Sequence, residues 1–262
     1  MKPLEGLLVL DFSQYLAGPS ASLRLADLGA RVIKVERPGT GEGSRQLAIK
    51  NMRVGGDSLL FHTINRNKES YAADLKNPSD LAKVKKLIAA ADVMIENFRP
   101  GTLEKWGLGY ADVLSVRFPR LIYCHITGFG SDGPMGGLPG YDAAVQAVSG
   151  LMSINGTMES GPLRMGTPIV DLGTGLNATI GASSRCMTGR ARKRTGDRHH
   201  AVRQRHRTLA SACGELPHVG QATTAHRQRT SEHLALRRVQ DRHQVDLPCR
   251  GQRSAVRAAL RG

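Results

Sequence analysis

Gly6 to Glu36 reads G-L-L-V-L-D-F-S-Q-Y-L-A-G-P-S-A-S-L-R-L-A-D-L-G-A-R-V-I-K-V-E. Leu7 to Leu10 with Asp11 is a short apolar run of the kind that forms a strand buried on both faces. F-S-Q-Y-L-A-G-P follows as a loop, and Pro19 suits a first helical turn, where no N–H is needed. Ala21 to Leu28 is expected to be a helix, with Leu23, Leu25, Ala26 and Leu28 available to an inner face and Gly29 as its C-terminal cap. Arg31 to Val35 is a second strand, followed by Glu36-Arg37-Pro38-Gly39. Strand, helix and strand within about 30 residues make a βαβ unit, which predicts a parallel sheet.

The same alternation continues outward. Asn65-Arg66-Asn67-Lys68 precedes a short strand ending at Asp74-Leu75-Lys76, and Pro78 opens a helix to about Ala91 with Leu81, Val84, Leu87 and Ile88 on one face. Asp92 to Glu96 is a strand that runs into the turn Asn97-Phe98-Arg99-Pro100-Gly101, then a helix from Leu103 to Trp106. Leu121 to Ile126 is a further strand, ending in Thr127-Gly128-Phe129-Gly130. The fold class is therefore α/β, a parallel sheet with flanking helices, and ligands in such sheets bind beyond the strand ends. The loop Gly39 to Ser44 is glycine-rich but follows the second strand. A dinucleotide fingerprint belongs between the first strand and its helix, so a nicotinamide cofactor is excluded on this pattern.

Asp171 sits in P-I-V-D-L-G-T-G, where Ile169-Val170 reads as a strand end passing into a helix start. A carboxylate there is either a helix cap or a nucleophile with an open approach. Tyr141-Asp142 follows the turn L-P-G, and Asp142 opens an apolar run of helical spacing to Met152, which favours a capped core helix.

The net charge is +15, which invites a nucleic-acid reading. Residues 183–262 hold 18 Lys+Arg against 5 Asp+Glu, whereas residues 1–182 hold 19 against 17. The body is close to neutral and only the tail is basic. It lacks interleaved aromatics and zinc spacing, so nucleic acid is disfavoured as a partner. No apolar run reaches the roughly 18 to 20 residues of a membrane span, so no membrane partner is expected. Cys124, Cys186, Cys213 and Cys249 form no Cys-x-x-Cys pair and read as free thiols of a reducing, cytoplasmic setting, with no metal site.

Seven segments together resemble the class III CoA-transferases, of the formyl-CoA transferase and carnitine CoA-transferase type. They are L-D-F-S-Q-Y-L-A-G-P, L-A-D-L-G-A-R-V-I-K-V-E-R-P-G, N-R-N-K-E-S, D-V-M-I-E-N-F-R-P-G, T-G-F-G-S-D-G-P, G-Y-D-A-A-V-Q-A-V-S-G and the segment ending V-D-L-G-T-G, in order from Leu7 to about Ala182. The resemblance implies a Rossmann-like large domain and a homodimer in the intact family. It implies an aspartate nucleophile at Asp171 that passes CoA from an acyl-CoA to a small carboxylic acid through an aspartyl-CoA thioester. No cofactor is then bound permanently, and coenzyme A enters as acyl-CoA substrate. A carboxyl with a reference pKa of about 3.9 is ionised at neutral pH without a general base. The resemblance also places Arg37 beside the nucleotide phosphates, Asn97, Phe98 and Lys105 against CoA, and Tyr15, Leu16 and the Lys68 region in the same site. Plain readings stand beside these: Arg37 as a solvated strand-end charge, Phe98 as a core aromatic, Lys105 as a surface lysine. Some superfamily members racemise 2-methylacyl-CoA with a histidine where this chain has Tyr141, and a tyrosine is a poor base at neutral pH. His125 reads as structural. A non-catalytic CoA-binding or basic-tailed protein is the remaining alternative.

The motif-level resemblance stops at Ala182, which divides the chain into 1–182, the N-terminal part of a CoA-transferase large domain, and 183–262. The second stretch has no Phe, Tyr, Trp or Ile, and 17 of its 18 basic residues are Arg. It is too poor in apolar residues to offset its ordering entropy, so it is expected to be disordered and reads as out-of-frame translation of a GC-rich gene. Members of the family continue into a second half that supplies a small domain and a glycine-rich loop at the active site. The expectation is a chain with little or no transferase activity as written.

Overall fold

In a computed structural model, the residues described are 2–192 and 201–205. The opening stretch folds as β1 (Leu8–Asp11), α1 (Ala17–Asp27) and β2 (Arg31–Glu36). Then come a short antiparallel pair, β3 (Arg53–Val54) with β4 (Asp57–Ser58), α2 (Leu59–Asn65), β5 (Lys68–Ala72), α3 (Pro78–Ala90) and β6 (Val93–Glu96). Next are α4 (Thr102–Lys105), α5 (Ser115–Arg117), β7 (Ile122–Thr127), α6 (Asp142–Val148) and a two-stranded pair, β8 (Gly156–Thr157) with β9 (Gly161–Pro162). The described chain closes with α7 (Ile169–Arg192) and β10 (Ala201–Arg205).

The main sheet has the order β10-β7-β6-β1-β2-β5 and every pairing in it is parallel. Side chains alternate between its faces, as the strand period requires. Val9, Val32, Val93, Ile95 and Cys124 point to one side, where Ala21 and Leu25 of α1 and Ala178, Ala182 and Cys186 of α7 pack over them. Leu10, Ile33, Met94 and Tyr123 point to the other, under Val84 and Ile88 of α3 and Leu103 of α4. Burial on both faces accounts for apolar strands without polar alternation. All described residues lie within one compact unit, Met1–Glu215.

Several boundaries differ from the sequence reading. α1 starts at Ala17 rather than Ala21, with Pro19 in its first turn, where a missing N–H is harmless. β5 ends at Ala72, short of Asp74, and its last bond to β2 is from the Ala73 N–H to the Glu36 carbonyl (2.9 Å). Ile169-Val170 is no strand end: both belong to the first turn of α7. The division after Ala182 has no counterpart in the backbone, since α7 runs through it to Arg192. Ala178, Ala182 and Cys186, spaced i, i+4 and i+8, form one buried face there. Residues 201–205 pair with β7 as an edge strand. The expectations of disorder and of an out-of-frame origin for the remainder of 183–262 lie outside the described residues.

Candidate functional site

From β1 the sheet grows one way through β2 and β5 and the other way through β6 and β7, so a crevice opens where β1 and β6 end side by side. Asn97, directly after β6, bridges it. Its Oδ1 accepts the Gln14 N–H (2.8 Å) and its Nδ2 donates to the Gln14 carbonyl (2.8 Å), locking together the loops that follow the two strands. Beyond this bridge lies a cavity of about 330 Å³ lined by Tyr15, Leu16, Asn97, Phe98, Tyr141 and Asp171. Tyr15 is held in the left-handed region (φ +65) with its N–H donated to Glu42 Oε2 (3.0 Å). Its ring meets that of Tyr141 edge-on, centroids 6.4 Å apart.

Asp171 is the third residue of α7. Burial, and after it the neighbouring Asp142 carboxylate, push its carboxyl up to about 7. The expectation of a freely ionised aspartate is corrected accordingly: in low-dielectric surroundings beside a like charge, the neutral form gains. Asp142 is itself 7% exposed and does not cap its own helix. Its Oδ1 accepts the N–H groups of Val170 (2.9 Å) and Asp171 (3.3 Å), so it caps α7 instead. α6 stops at Val148 rather than Met152.

A family model described as CoA-transferase family III matches residues 4–239. The chain belongs to that family. The succinyl-CoA:glutarate CoA-transferase of Mus musculus is 48% identical over 178 residues, covering 68% of this chain and 40% of that protein. The acetyl-CoA:oxalate CoA-transferase of Acetobacter aceti is 41% identical over 199 residues, covering 76% of this chain and 49% of that protein. A crystal structure of a CAIB/BAIF family protein from Brucella suis has a TM-score of 0.73 at 38% identity, over 80% of this chain and 55% of that one. This family III chain thus spans less than half the length of the two curated relatives. The family match runs past Ala182, where the motif-level resemblance ends.

A second cavity, about 290 Å³, shares Gln14 and Phe98 with the first and adds Glu36, Arg37, Lys76 and Trp106. Phe98 packs edge-on against Trp106 (5.3 Å between centroids) at the rim of the core while lining both cavities. Arg37 is exposed at the second cavity and does not reach the first.

Two expected site residues line neither cavity. Lys105 is exposed on α4 and lines neither cavity. The Lys68 side chain is only 1% exposed, and its Nζ donates to Asn65 Oδ1 (2.7 Å), the Pro19 carbonyl (2.9 Å) and Asp11 Oδ2 (3.0 Å). Burial pulls its amine down to about 8 despite Asp11. Asp11, wholly buried, also accepts from Ser22 Oγ (2.6 Å), the Ser13 N–H (2.9 Å) and hydroxyl, and Lys34 Nζ (3.4 Å). Burial alone would raise the Asp11 carboxyl, but Lys34 and Lys68 hold it far below the usual range. The cluster is an internal rivet under the Ser13–Leu16 loop. His125 is structural, as read: its Nδ1–H pairs with the buried Glu96 carboxylate, which also accepts from Tyr123 Oη (2.5 Å) and the Phe98 N–H (2.8 Å).

Sequence reasoning missed Gln14, which lines both cavities, and Arg99, which lines the first. Their place directly after β1 and β6 was the available signal. It also missed Asp142 as the cap of α7, for which no local signal exists. Burial, then Glu96, pushes the Cys124 thiol up to about 12, so this cysteine is inert. Among the described residues no group of three His, Cys, Asp or Glu is placed to hold a metal ion, and no helix is long and apolar enough to cross a membrane.

Proposed function

We propose that the chain carries the nucleophile-bearing part of a CoA-transferase site that moves CoA from an acyl-CoA donor to a carboxylic acid acceptor. One observation carries this reading: the Asp171 carboxyl lies at the wall of the first cavity, with no donor bound to its oxygens among the described residues.

Ionised Asp171 attacks the thioester carbonyl. The acyl carbon–sulfur bond breaks, CoA thiolate leaves, and a mixed anhydride joins Asp171 to the acyl group. The thiolate returns to the aspartyl carbonyl and expels the donor acid as carboxylate, leaving aspartyl-CoA thioester. The acceptor carboxylate then repeats the two steps in reverse and takes the CoA, restoring the Asp171 carboxylate. α1 presents its N-terminal turn to the same cavity at Leu16 and Ala17, where free N–H groups favour developing negative charge. CoA would run from Asp171 past Asn97 and Phe98 into the second cavity, with its phosphates toward Arg37. Tyr141, a poor base at neutral pH, supports transfer over racemisation. The change of composition after residue 182 supports reading the Arg-rich stretch as out-of-frame translation, and DNA sequence across codons 175–190 tests that directly.

The test of the activity is covalent trapping. The two named relatives pair a short acyl-CoA with a dicarboxylate, so succinyl-CoA and acetyl-CoA are the first donors to assay. Intact mass spectrometry should show an adduct on the wild-type chain and none on Asp171→Ala. An unlabelled wild-type chain that binds CoA would replace this reading with a non-catalytic CoA-binding one.

A further inference from the structure

We propose that Asp142 and Gln146 of α6 are positioning residues for Asp171, a clamp that fixes the first turn of α7 and the approach to it; this rests on the reading of Asp171 as the nucleophile. The first N–H groups of any helix have no partner within it. In α7 two of them, on Val170 and Asp171 itself, are taken by Asp142 Oδ1, 28 and 29 residues back in the chain. Asp142 Oδ2 is held by Gln146 Nε2 (2.6 Å), one turn further along α6. Gln146, 0% exposed, accepts the Met165 N–H on its Oε1 (2.9 Å). Two buried side chains spaced i and i+4 thus grip both ends of the segment from Met165 to Asp171. The grip sits on the backbone of the reacting residue, so it sets where the Asp171 carboxyl points into the cavity.

The clamp is also charged. The titratable or charged groups that line the cavity with Asp171 are Tyr15 from the loop after β1, Arg99 from the loop after β6 and Tyr141 just before α6, and Asp142 of α6 stands beside it. Asp142 is the one whose like charge raises Asp171. Anchoring and charge separate by substitution. Asp142→Asn keeps an acceptor for the two N–H groups while removing the charge and the bond from Gln146 Nε2, whereas Asp142→Leu removes the acceptor as well.

The experiment is hydrogen exchange on the whole chain, paired with the pH profile of labelling by succinyl-CoA. Asp142→Leu should speed exchange of the Val170 and Asp171 amides at least tenfold, leave the later turns of α7 unchanged, and slow labelling at every pH. Asp142→Asn should keep the amides protected and move the labelling midpoint to lower pH. Should Asp142→Leu not fold, Gln146→Leu takes its place, with faster exchange expected at Met165 and at the first turn of α7. Unchanged exchange in Asp142→Leu, or in Gln146→Leu where it stands in, overturns the clamp, and an unmoved labelling midpoint in Asp142→Asn overturns the part assigned to the Asp142 charge. A wild-type chain that is never labelled refutes the nucleophile reading, and with it the positioning role, while the exchange data separately report whether the backbone anchor exists.

Discussion

Asp171 is an acidic side chain that its surroundings make harder to ionise. Only the carboxylate attacks a thioester, so with a carboxyl at about 7 the labelling rate should climb close to tenfold per pH unit below that value and level off above it. A flat profile between pH 5 and 8 would show that the labelled group titrates elsewhere. Stability should run the other way. The folded chain holds this proton at pH values where an unfolded aspartate, at about 3.9, has already lost it. The contribution of this group to stability therefore declines as pH rises from about 4 to about 7. Asp171→Asn should remove that decline, a difference readable as the change of Tm with pH in the two proteins. Tyr15, which lines the same cavity, is under constraint too, a non-glycine at φ +65 whose N–H is held by Glu42.

At the scale of elements, the packing of α7 on α1 places Asp171. Gly175 makes that packing possible. A Cβ on it would stand 2.1 Å from Ser20 Oγ and 2.8 Å from the Ala17 carbonyl oxygen, so α7 has no room for a side chain where it meets α1. Gly175→Val should cost about 1–3 kcal/mol in denaturant unfolding and displace Asp171 from the cavity wall. Beneath α1, Asp11 ties the end of β1 to Ser22 on α1, Lys34 on β2 and Lys68 on β5. Asp11→Ala would strand two buried ammonium groups, and a loss of about 3–5 kcal/mol is expected on unfolding by urea. A stability within 1 kcal/mol of wild type would mean that the lysines find water instead.

Across the whole molecule, the strand order decides where chemistry can occur. The crevice between β1 and β6 exists because the chain reverses direction across the sheet there, and six of the nine residues expected at the site line the first cavity. Since the two cavities are shaped mostly by residues other than Asp171, CoA at 100 times its Kd should raise stability by about 2.7 kcal/mol in wild type and in Asp171→Ala alike. A CoA effect confined to the wild-type chain would mean that the Asp171 carboxyl itself supplies the binding rather than the crevice.

The local part of this structure was legible in the residues. Apolar runs bounded by turns, the i, i+3, i+4 face of α3 and the strand–helix–strand succession are short-range patterns, and they imply a parallel sheet without any knowledge of what touches what. The position of Asp171 at a helix start was readable in the same way, though the strand expected before it is absent. Partners distant in the chain were not readable. Asn97 reaches Gln14 across 83 residues, Lys68 reaches Asp11 across 57, and Asp142 reaches Val170 across 28. Asp171 shows the consequence, since it was assigned the charge behaviour of its type and is shifted by burial and by a neighbour brought in from elsewhere. Periodicity and turn chemistry are written residue by residue, so the sequence determined the elements and their succession. Desolvation and the pairing of buried charges depend on which elements become neighbours, and only the tertiary structure decided that.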